Sequence, residues 1–154
     1  MANEKPGDEI DRAALARAIA EAIPFSKALG LVLTDAGLGH AELSVPFDAR
    51  LVGDPETGVL HGGVVTALLD SCCGSAVLLH SDRPASTATI DLRIDYMRGS
   101  KPGQGLIARA RCYHTTRFVA FVRAVAFETD EADPVAVATG AFTVEQRGME
   151  GLVE

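Results

Sequence analysis

The feature that most constrains this chain is an apolar stretch at residues 62–79 with a single carboxylate, Asp70, in its middle. The apolar side chains recur on every side of a helical projection, which is typical of a helix that is buried all round. A bilayer span needs roughly 20 almost entirely apolar residues, and Thr66 and Ser75 interrupt this stretch. We therefore expect a core helix. An ionised carboxylate inside it costs several kcal/mol unless it is hydrogen-bonded or used in chemistry.

Composition limits the class of protein. The 154 residues suffice for one domain with a sizeable core. A hydrophobic fraction of 47% suggests an apolar interface between copies, so we expect a homodimer or a dimer-of-dimers tetramer. The net charge of −7 argues against nucleic acid as the main partner, and we expect no membrane association. Three cysteines, with Cys72 and Cys73 adjacent, and no secretory signal favour a reducing cytoplasm.

Segments with an apolar period of two predict six strands, at residues 31–36, 39–47, 87–97, 105–114, 117–129 and 135–146. Four residues of the second strand are expected to point inward: Ala41, Leu43, Val45 and Phe47. Residues 8–23 predict an amphipathic helix that Pro24 ends. This order predicts an α+β fold in which a curved antiparallel sheet wraps around one central buried helix, with the N-terminal helix as an accessory element.

Several common site motifs are missing or out of context. The glycine pattern that begins at Gly103 lies at the start of a predicted strand, which excludes a dinucleotide site. The sequence contains no G-x-S-x-G elbow for a serine nucleophile. Its four histidines are too scattered to suggest a metal site. We therefore expect neither a metal nor a cofactor.

The start of the buried helix, at His61, Gly62 and Gly63, is a candidate oxyanion site. The first N–H groups of a helix have no intrahelical partner, and the macrodipole is positive there. The glycines also fit a simpler role, since they permit a tight turn into the helix. Asp70 follows His61 by nine residues, which places the two on opposite faces and about 13 Å apart along the axis. A reaction centre that uses Asp70 and a helix start therefore needs the helix start of a second copy.

Positive charge is concentrated in one region. Residues 83–123 contain eight basic residues and only two acidic ones, Asp91 and Asp95, which gives six net positive charges. The basic residues are Arg83, Arg93, Arg98, Lys101, Arg109, Arg111, Arg117 and Arg123. They fit either solvated positions on strands or a docking surface for a polyanionic small molecule.

The His61-Gly62-Gly63 run, Asp70 and the strand at residues 89–98 together resemble the PaaI-like hotdog acyl-CoA thioesterases. The resemblance implies a hotdog domain at residues 28–146, after an N-terminal extension at 1–27 and before a tail at 147–154. It implies hydrolysis of an acyl-CoA with an aromatic or medium-chain acyl group. The alternative is a hotdog protein that binds acyl-CoA without hydrolysing it. A hotdog hydratase is disfavoured because its histidine and aspartate should meet at one centre.

The resemblance also assigns roles to residues of the helix and the following strand. The Gly62 N–H, beside Gly63, would polarise the thioester carbonyl, and His61 would support the loop at the helix start. Asp70 of the partner subunit would act as general base or nucleophile. Thr89 would orient the attacking water.

Coenzyme A contacts follow from the same resemblance. They fall near the turn before the fifth strand, where Arg117 lies between Thr116 and Phe118. Arg98 and Lys101 are further candidates. Family members often carry an asparagine before the motif, whereas this sequence has Asp54, with one residue more in the spacing.

Overall fold

The computed structural model describes residues 21–80 and 84–145, together with residues 14, 17 and 18. Within these residues it contains a six-stranded antiparallel sheet, a two-stranded ribbon and one long helix. The elements are α1 (Pro24–Leu29), β1 (Val32–Gly37), β2 (His40–Val45), a 3-10 turn (Ala49–Leu51), β3 (Val52–Asp54), β4 (Val59–Leu60), α2 (Gly62–Leu78), β5 (Thr89–Tyr96), β6 (Leu106–Thr115), β7 (Val119–Phe127) and β8 (Ala136–Thr143).

The large sheet has the strand order β1-β2-β6-β7-β8-β5, and every neighbouring pair is antiparallel. All six segments predicted from their period of two form strands of this sheet. Register follows the apolar alternation, since Leu43 of β2 lies opposite Ala108 of β6 and both are buried. The sheet order places β5 beside β8, although the long helix α2 directly precedes β5 in the chain.

Helix α2 forms the centre of the core. Eight of its residues are buried: Val64, Val65, Leu68, Leu69, Cys72, Cys73, Ala76 and Val77. The sheet face against it is lined by small side chains, among them Ala41, Ala108, Ala110, Ala120, Ala124, Ala126, Ala136 and Ala138. Small side chains let the sheet curve closely around the helix. This is the hotdog fold, as the sequence predicted.

One face of α2 differs from the prediction of burial all round. Asp70, Ser71, Gly74 and Leu78 are half-buried, whereas the opposite face is fully enclosed by the sheet. Among the described residues, this face borders a cavity whose outer wall is the start of α1 and the chain before β5. In the described structure part of the central helix is therefore accessible.

The region before β1 contains a helix that the sequence did not predict. Residues 21–22 are helical and Ile23 is not, and Pro24 then begins α1, because proline lacks only an N–H that the first helical turn does not use. Gly30 ends α1 with a positive φ of 74°. The expected boundary between residues 27 and 28 falls inside α1. Most of the helix predicted at residues 8–23, and the tail at 147–154, lie outside the described residues.

The segment between β2 and α2 contains two more differences. Phe47, predicted to point inward, is 37% exposed because β2 ends at Val45 and Pro46 follows. Residues 48–58, predicted as a loop, contribute β3, which pairs with β4 so that Val52 lies opposite Leu60. The ribbon leads the chain directly into the start of α2.

Strand β5 is an open edge of the sheet. It pairs with β8 on one side and with no described strand on the other. Ile90, Tyr96 and Met97 keep 56%, 50% and 55% of their surface exposed. A long edge strand with free N–H and C=O groups is a site for pairing with another strand.

Candidate functional site

At the start of α2, one backbone N–H group has no partner within the described part of the chain. His61 caps the helix, and its Nδ1 accepts a hydrogen bond from the Gly63 N–H at 2.9 Å. The Val64 N–H donates to the His61 carbonyl at 2.9 Å. Among the described residues the Gly62 N–H has no acceptor, and the positive end of the helix dipole lies beside it. The group is therefore available to an incoming oxygen.

Tyr96, a residue that the sequence interpretation treated only as an apolar strand position, supports the same turn. Its hydroxyl donates to the Gly62 carbonyl at 3.1 Å and lies 2.7 Å from the Thr66 hydroxyl. A Cβ at Gly62 would meet the Tyr96 ring at 3.8 Å. The end of β5 thus holds the first turn of α2 in place. An aromatic residue in an alternating strand gives no sequence signal for this contact.

Asp70 has one hydrogen-bond partner among the residues that the structure describes. The Thr89 hydroxyl, at the first residue of β5, donates to Asp70 Oδ1 at 2.7 Å. Asp70 Oδ2 accepts no hydrogen bond from the described residues. This oxygen is left to accept one from water or from a substrate.

A cavity of about 460 Å³ opens beside Asp70 and Thr89. Its volume lies in the usual range of small-molecule sites. The lining combines polar and apolar residues from α1, α2, β2, β8 and the chain before β5: Ile23, Phe25, Ser26, Leu43, Asp70, Ser71, Gly74, Ser75, Leu78, Ala85, Ser86, Thr87, Ala88, Thr89 and Phe142. The resemblance predicted roles for Asp70 and Thr89, and the structure brings both to this cavity, which the sequence did not identify.

The unpaired N–H and the carboxylate are far apart on α2. Gly62 and Asp70 are eight residues apart, which corresponds to about 12 Å along the helix axis. His61 and Gly63 line a different cavity of about 340 Å³, whereas Asp70 lines the first. A single chain does not bring the two groups to one point.

The cysteines are poor candidates for a nucleophile. Burial raises the pKa of the Cys72 thiol to about 12, and burial likewise raises the pKa of the Cys73 thiol. A thiol that stays protonated at neutral pH is unreactive. Among the described residues, no three His, Cys, Asp or Glu side chains gather where they could hold a metal ion. No helix in the same residues is long and apolar enough to cross a membrane.

Arg98 and Lys101, two coenzyme A candidates, are engaged within the protein. Arg98 donates two hydrogen bonds to the Glu128 carboxylate, at 3.0 and 2.6 Å, and two to Asp133, one to its carboxylate at 3.0 Å and one to its backbone carbonyl at 2.7 Å. The backbone N–H of Lys101 donates a hydrogen bond to the Glu128 carboxylate at 2.7 Å, and the Lys101 Nζ lies 3.7 Å from the Asp133 carboxylate. The hydrogen bonds that Arg98 donates to Glu128 raise the pKa of Arg98. No pattern in the sequence marks Glu128, since an acidic residue after an apolar strand ordinarily faces solvent.

Arg117 is placed differently, at the exposed turn between β6 and β7. The Thr116 hydroxyl closes this turn by accepting from the Val119 N–H at 3.1 Å. The Arg117 guanidinium lies 5.0 Å from the centre of the Phe118 ring, and Phe118 is 55% exposed. Among the described residues Arg117 forms no ion pair, whereas Arg109 contacts Glu42 and Glu131. Arg83 lies outside the described residues.

Asp54 stabilises its own turn. Its carboxylate accepts hydrogen bonds from the Thr57 hydroxyl at 2.7 Å and from the Glu56 N–H at 3.0 Å. The hydrogen bond from Thr57 lowers the pKa of Asp54. The Gly58 N–H donates to the Asp54 carbonyl, and Gly58 has a positive φ of 73°. These contacts hold the turn between β3 and β4, which precedes the helix start.

A family model, described as the thioesterase superfamily, matches residues 57–135, from the β3–β4 turn to the start of β8. The match covers about half of the chain and includes the long helix α2 and strands β5, β6 and β7. The chain belongs to the thioesterase superfamily. It is therefore a thioester hydrolase, and the resemblance to PaaI-like hotdog thioesterases is confirmed.

Individual relatives agree with this membership. A protein of Halobacterium salinarum, named provisionally as an esterase, is 35% identical over 89% of this chain and 95% of its own length. The medium/long-chain acyl-CoA thioesterase YigI of Escherichia coli is 30% identical over 79% of this chain and 86% of its own. The PaaI protein of the Escherichia coli phenylacetic acid degradation operon shares the fold at 21% identity, with a TM-score of 0.77 over 87% of this chain and 94% of that one.

Proposed function

We propose that this thioesterase hydrolyses acyl-CoA with an aromatic or medium-chain acyl group, at a site shared by two subunits. The Gly62 N–H of one subunit binds the thioester oxygen, and Asp70 of the partner subunit acts as general base or nucleophile. The observation that carries the proposal is the half-buried Asp70 carboxylate, which has one hydroxyl partner and borders a cavity large enough for an acyl group. Its free oxygen can accept a proton from water or attack directly.

The two ends of β5 support the division between subunits. Thr89 at one end contacts Asp70 of its own chain, and Tyr96 at the other end contacts Gly62 of its own chain. A two-fold axis that pairs the open edge of β5 with its copy makes the two strands antiparallel. The Thr89 end of one strand then lies beside the Tyr96 end of the other. Such pairing draws Asp70 of one subunit towards the helix start of its partner.

The remaining roles follow from where each side chain lies. Thr89 holds Asp70 and is close enough to orient the attacking water, while His61 fixes the turn that contains Gly62 and Gly63. Arg117 is the coenzyme A contact that we favour, because it is exposed and unpaired in the described structure and stacks on Phe118. We also propose a cytoplasmic location, which the free buried thiols support.

Subunit complementation tests the shared site. Gly62→Val places a side chain against Tyr96 at the oxygen-binding N–H, and Asp70→Asn removes the carboxylate, so each homodimer should be inactive. In a mixed dimer one site receives both defects and the other receives neither. Random reassortment of equal amounts gives about half mixed dimers, so roughly a quarter of wild-type activity should return.

The control is the same mixing with one variant replaced by a Gly62→Val, Asp70→Asn double mutant, which leaves no intact site in any dimer. If subunits exchange and activity stays at the level of the single variants, the two residues do not serve one centre. A wild-type protein that binds acyl-CoA but releases no free thiol would instead support the non-catalytic alternative.

A further inference from the structure

The cavity beside Asp70 continues along α2 for two helical turns beyond the carboxylate. Asp70, Gly74 and Leu78 follow one another at intervals of four residues and all line it. Residues four apart lie on the same face of a helix. The distance along the axis from Asp70 to Leu78 is about 12 Å, with Gly74 half-way.

The other walls suit a hydrocarbon chain. Leu43 and Phe142 of the sheet are buried, and Ile23 and Phe25 form the outer wall at the start of α1. Three hydroxyl-bearing residues of the lining use their hydroxyl groups inside the protein. Ser75, Ser86 and Thr87 donate to Ser71, Glu145 and Thr143 respectively. The interior beyond Asp70 therefore offers few free polar groups, chiefly the hydroxyls of Ser26 and Ser71.

Gly74 is the position at which this cavity is easiest to close. A Cβ built there would lie 3.9 Å from the Phe142 ring and 4.0 Å from the Thr87 methyl group, both ordinary contact distances. No other described side chain lies within 4 Å of this Cβ position, so the remaining directions from it are open. A longer side chain would have to enter the cavity half-way along its length.

We propose that Gly74 sets the length of the acyl chain, which runs from Asp70 past Gly74 to Leu78 with α1 as its cover. The inference rests on the proposed function of this site. A zigzag chain advances roughly 1.3 Å per carbon, given a C–C bond of about 1.5 Å. The distance of about 12 Å from Asp70 to Leu78 then accommodates about eight to ten carbons. Closure at Gly74 leaves about 6 Å, or four to five carbons.

The test is the ratio of kcat/KM values across straight-chain acyl-CoAs of four to sixteen carbons. We expect an optimum at eight to ten carbons for the wild type. Gly74→Leu should raise the ratio of four-carbon to ten-carbon activity at least about tenfold, since several methylene groups lose their site. Gly74→Ala should change this ratio less than Gly74→Leu does. Leu78→Ala should shift the optimum to longer chains, because it extends the far end of the cavity.

Ala28→Leu adds the same bulk on the exposed side of α1, outside the cavity lining, and serves as the matched control. A wild-type chain-length profile in both Gly74→Leu and Leu78→Ala would overturn the inference while leaving the proposed hydrolysis intact. If Gly74→Leu does not fold, an unchanged profile in Leu78→Ala overturns it alone. A wild-type protein that hydrolyses no acyl-CoA overturns the proposed function instead.

Discussion

Two carboxylates inside this molecule have opposite surroundings. Glu128 is 5% exposed and accepts hydrogen bonds from both terminal nitrogens of Arg98 and from the Lys101 N–H. Asp70 is half-buried, accepts one hydrogen bond from the Thr89 hydroxyl and has no cation beside it in the described structure. Glu128 therefore has its acceptor positions occupied by the protein, whereas Asp70 has one oxygen free.

The comparison separates a structural carboxylate from a chemical one. A buried charge that is fully paired stabilises the state that holds it, and removing its partner is costly. A carboxylate with a free oxygen at a cavity can accept a proton or a bond from a substrate. Burial by itself does not distinguish these cases, since Glu128 is the more buried of the two. The number of hydrogen-bond partners distinguishes the two carboxylates.

The largest expected effect is on catalysis. Asp70→Asn keeps an oxygen that can accept from Thr89 but loses the charge, so kcat should fall by about 10² to 10⁴-fold with the thermal unfolding midpoint nearly unchanged. Release of free thiol from the best acyl-CoA measures kcat, and calorimetry measures stability. A variant with wild-type kcat would make Asp70 structural and remove the contrast with Glu128.

For Glu128→Gln we expect the opposite result, a loss of stability with activity retained. The substitution keeps the shape of the side chain but weakens charge-assisted hydrogen bonds, and we expect the free energy of unfolding to fall by about 2 kcal/mol. Activity per folded molecule should persist. Urea unfolding provides the measurement, and Glu131→Gln is the matched control, because Glu131 pairs with Arg109 at an exposed site. Equal effects of the two substitutions would show that the burial of Glu128 adds nothing.

The pH dependence of stability tests the same comparison between Glu128 and Asp70. Hydrogen bonding to Arg98 holds the pKa of Glu128 below its usual value of about 4.3. The folded state therefore binds this proton less readily than the unfolded state, and the contribution to stability is present above the unfolded-state pKa. It is lost as pH falls through the folded-state pKa. The stability difference between wild type and Glu128→Gln should be constant above about pH 5 and shrink below it. A difference independent of pH would contradict this account.

The smallest effect is expected at Arg117, which is exposed, whereas Arg98 is paired with Glu128. Arg117→Ala should raise KM for acyl-CoA by about three- to tenfold with little change in kcat, because a phosphate contact is made equally in ground and transition states. The difference should decrease at high salt. A short thioester without the nucleotide should show equal kinetics for both proteins. An unchanged KM for acyl-CoA would place the nucleotide elsewhere.

Local sequence predicted much of this fold and part of the candidate site. Residues 62–79 gave the central helix to within one residue, and the period of two gave all six strands of the sheet. Asp70 stood out because a lone carboxylate among apolar residues needs a reason. By contrast, the β3–β4 ribbon and the start of a helix at Pro24 were missed, since both depend on neighbours rather than on periodicity.

The sequence by itself determined most of the residues that form the core and the position of Asp70 in the central helix, because burial follows largely from the spacing of apolar side chains. Only the tertiary structure decided which charges are paired. Arg98 and Glu128 are 30 residues apart in sequence, and their contact depends on how the segment after β5 meets the end of β7. The same holds for Thr89 with Asp70 and for Tyr96 with Gly62, since the strand order places the two ends of β5 against α2. Hydrogen bonds are short-ranged and directional, so no pattern along the chain specifies them.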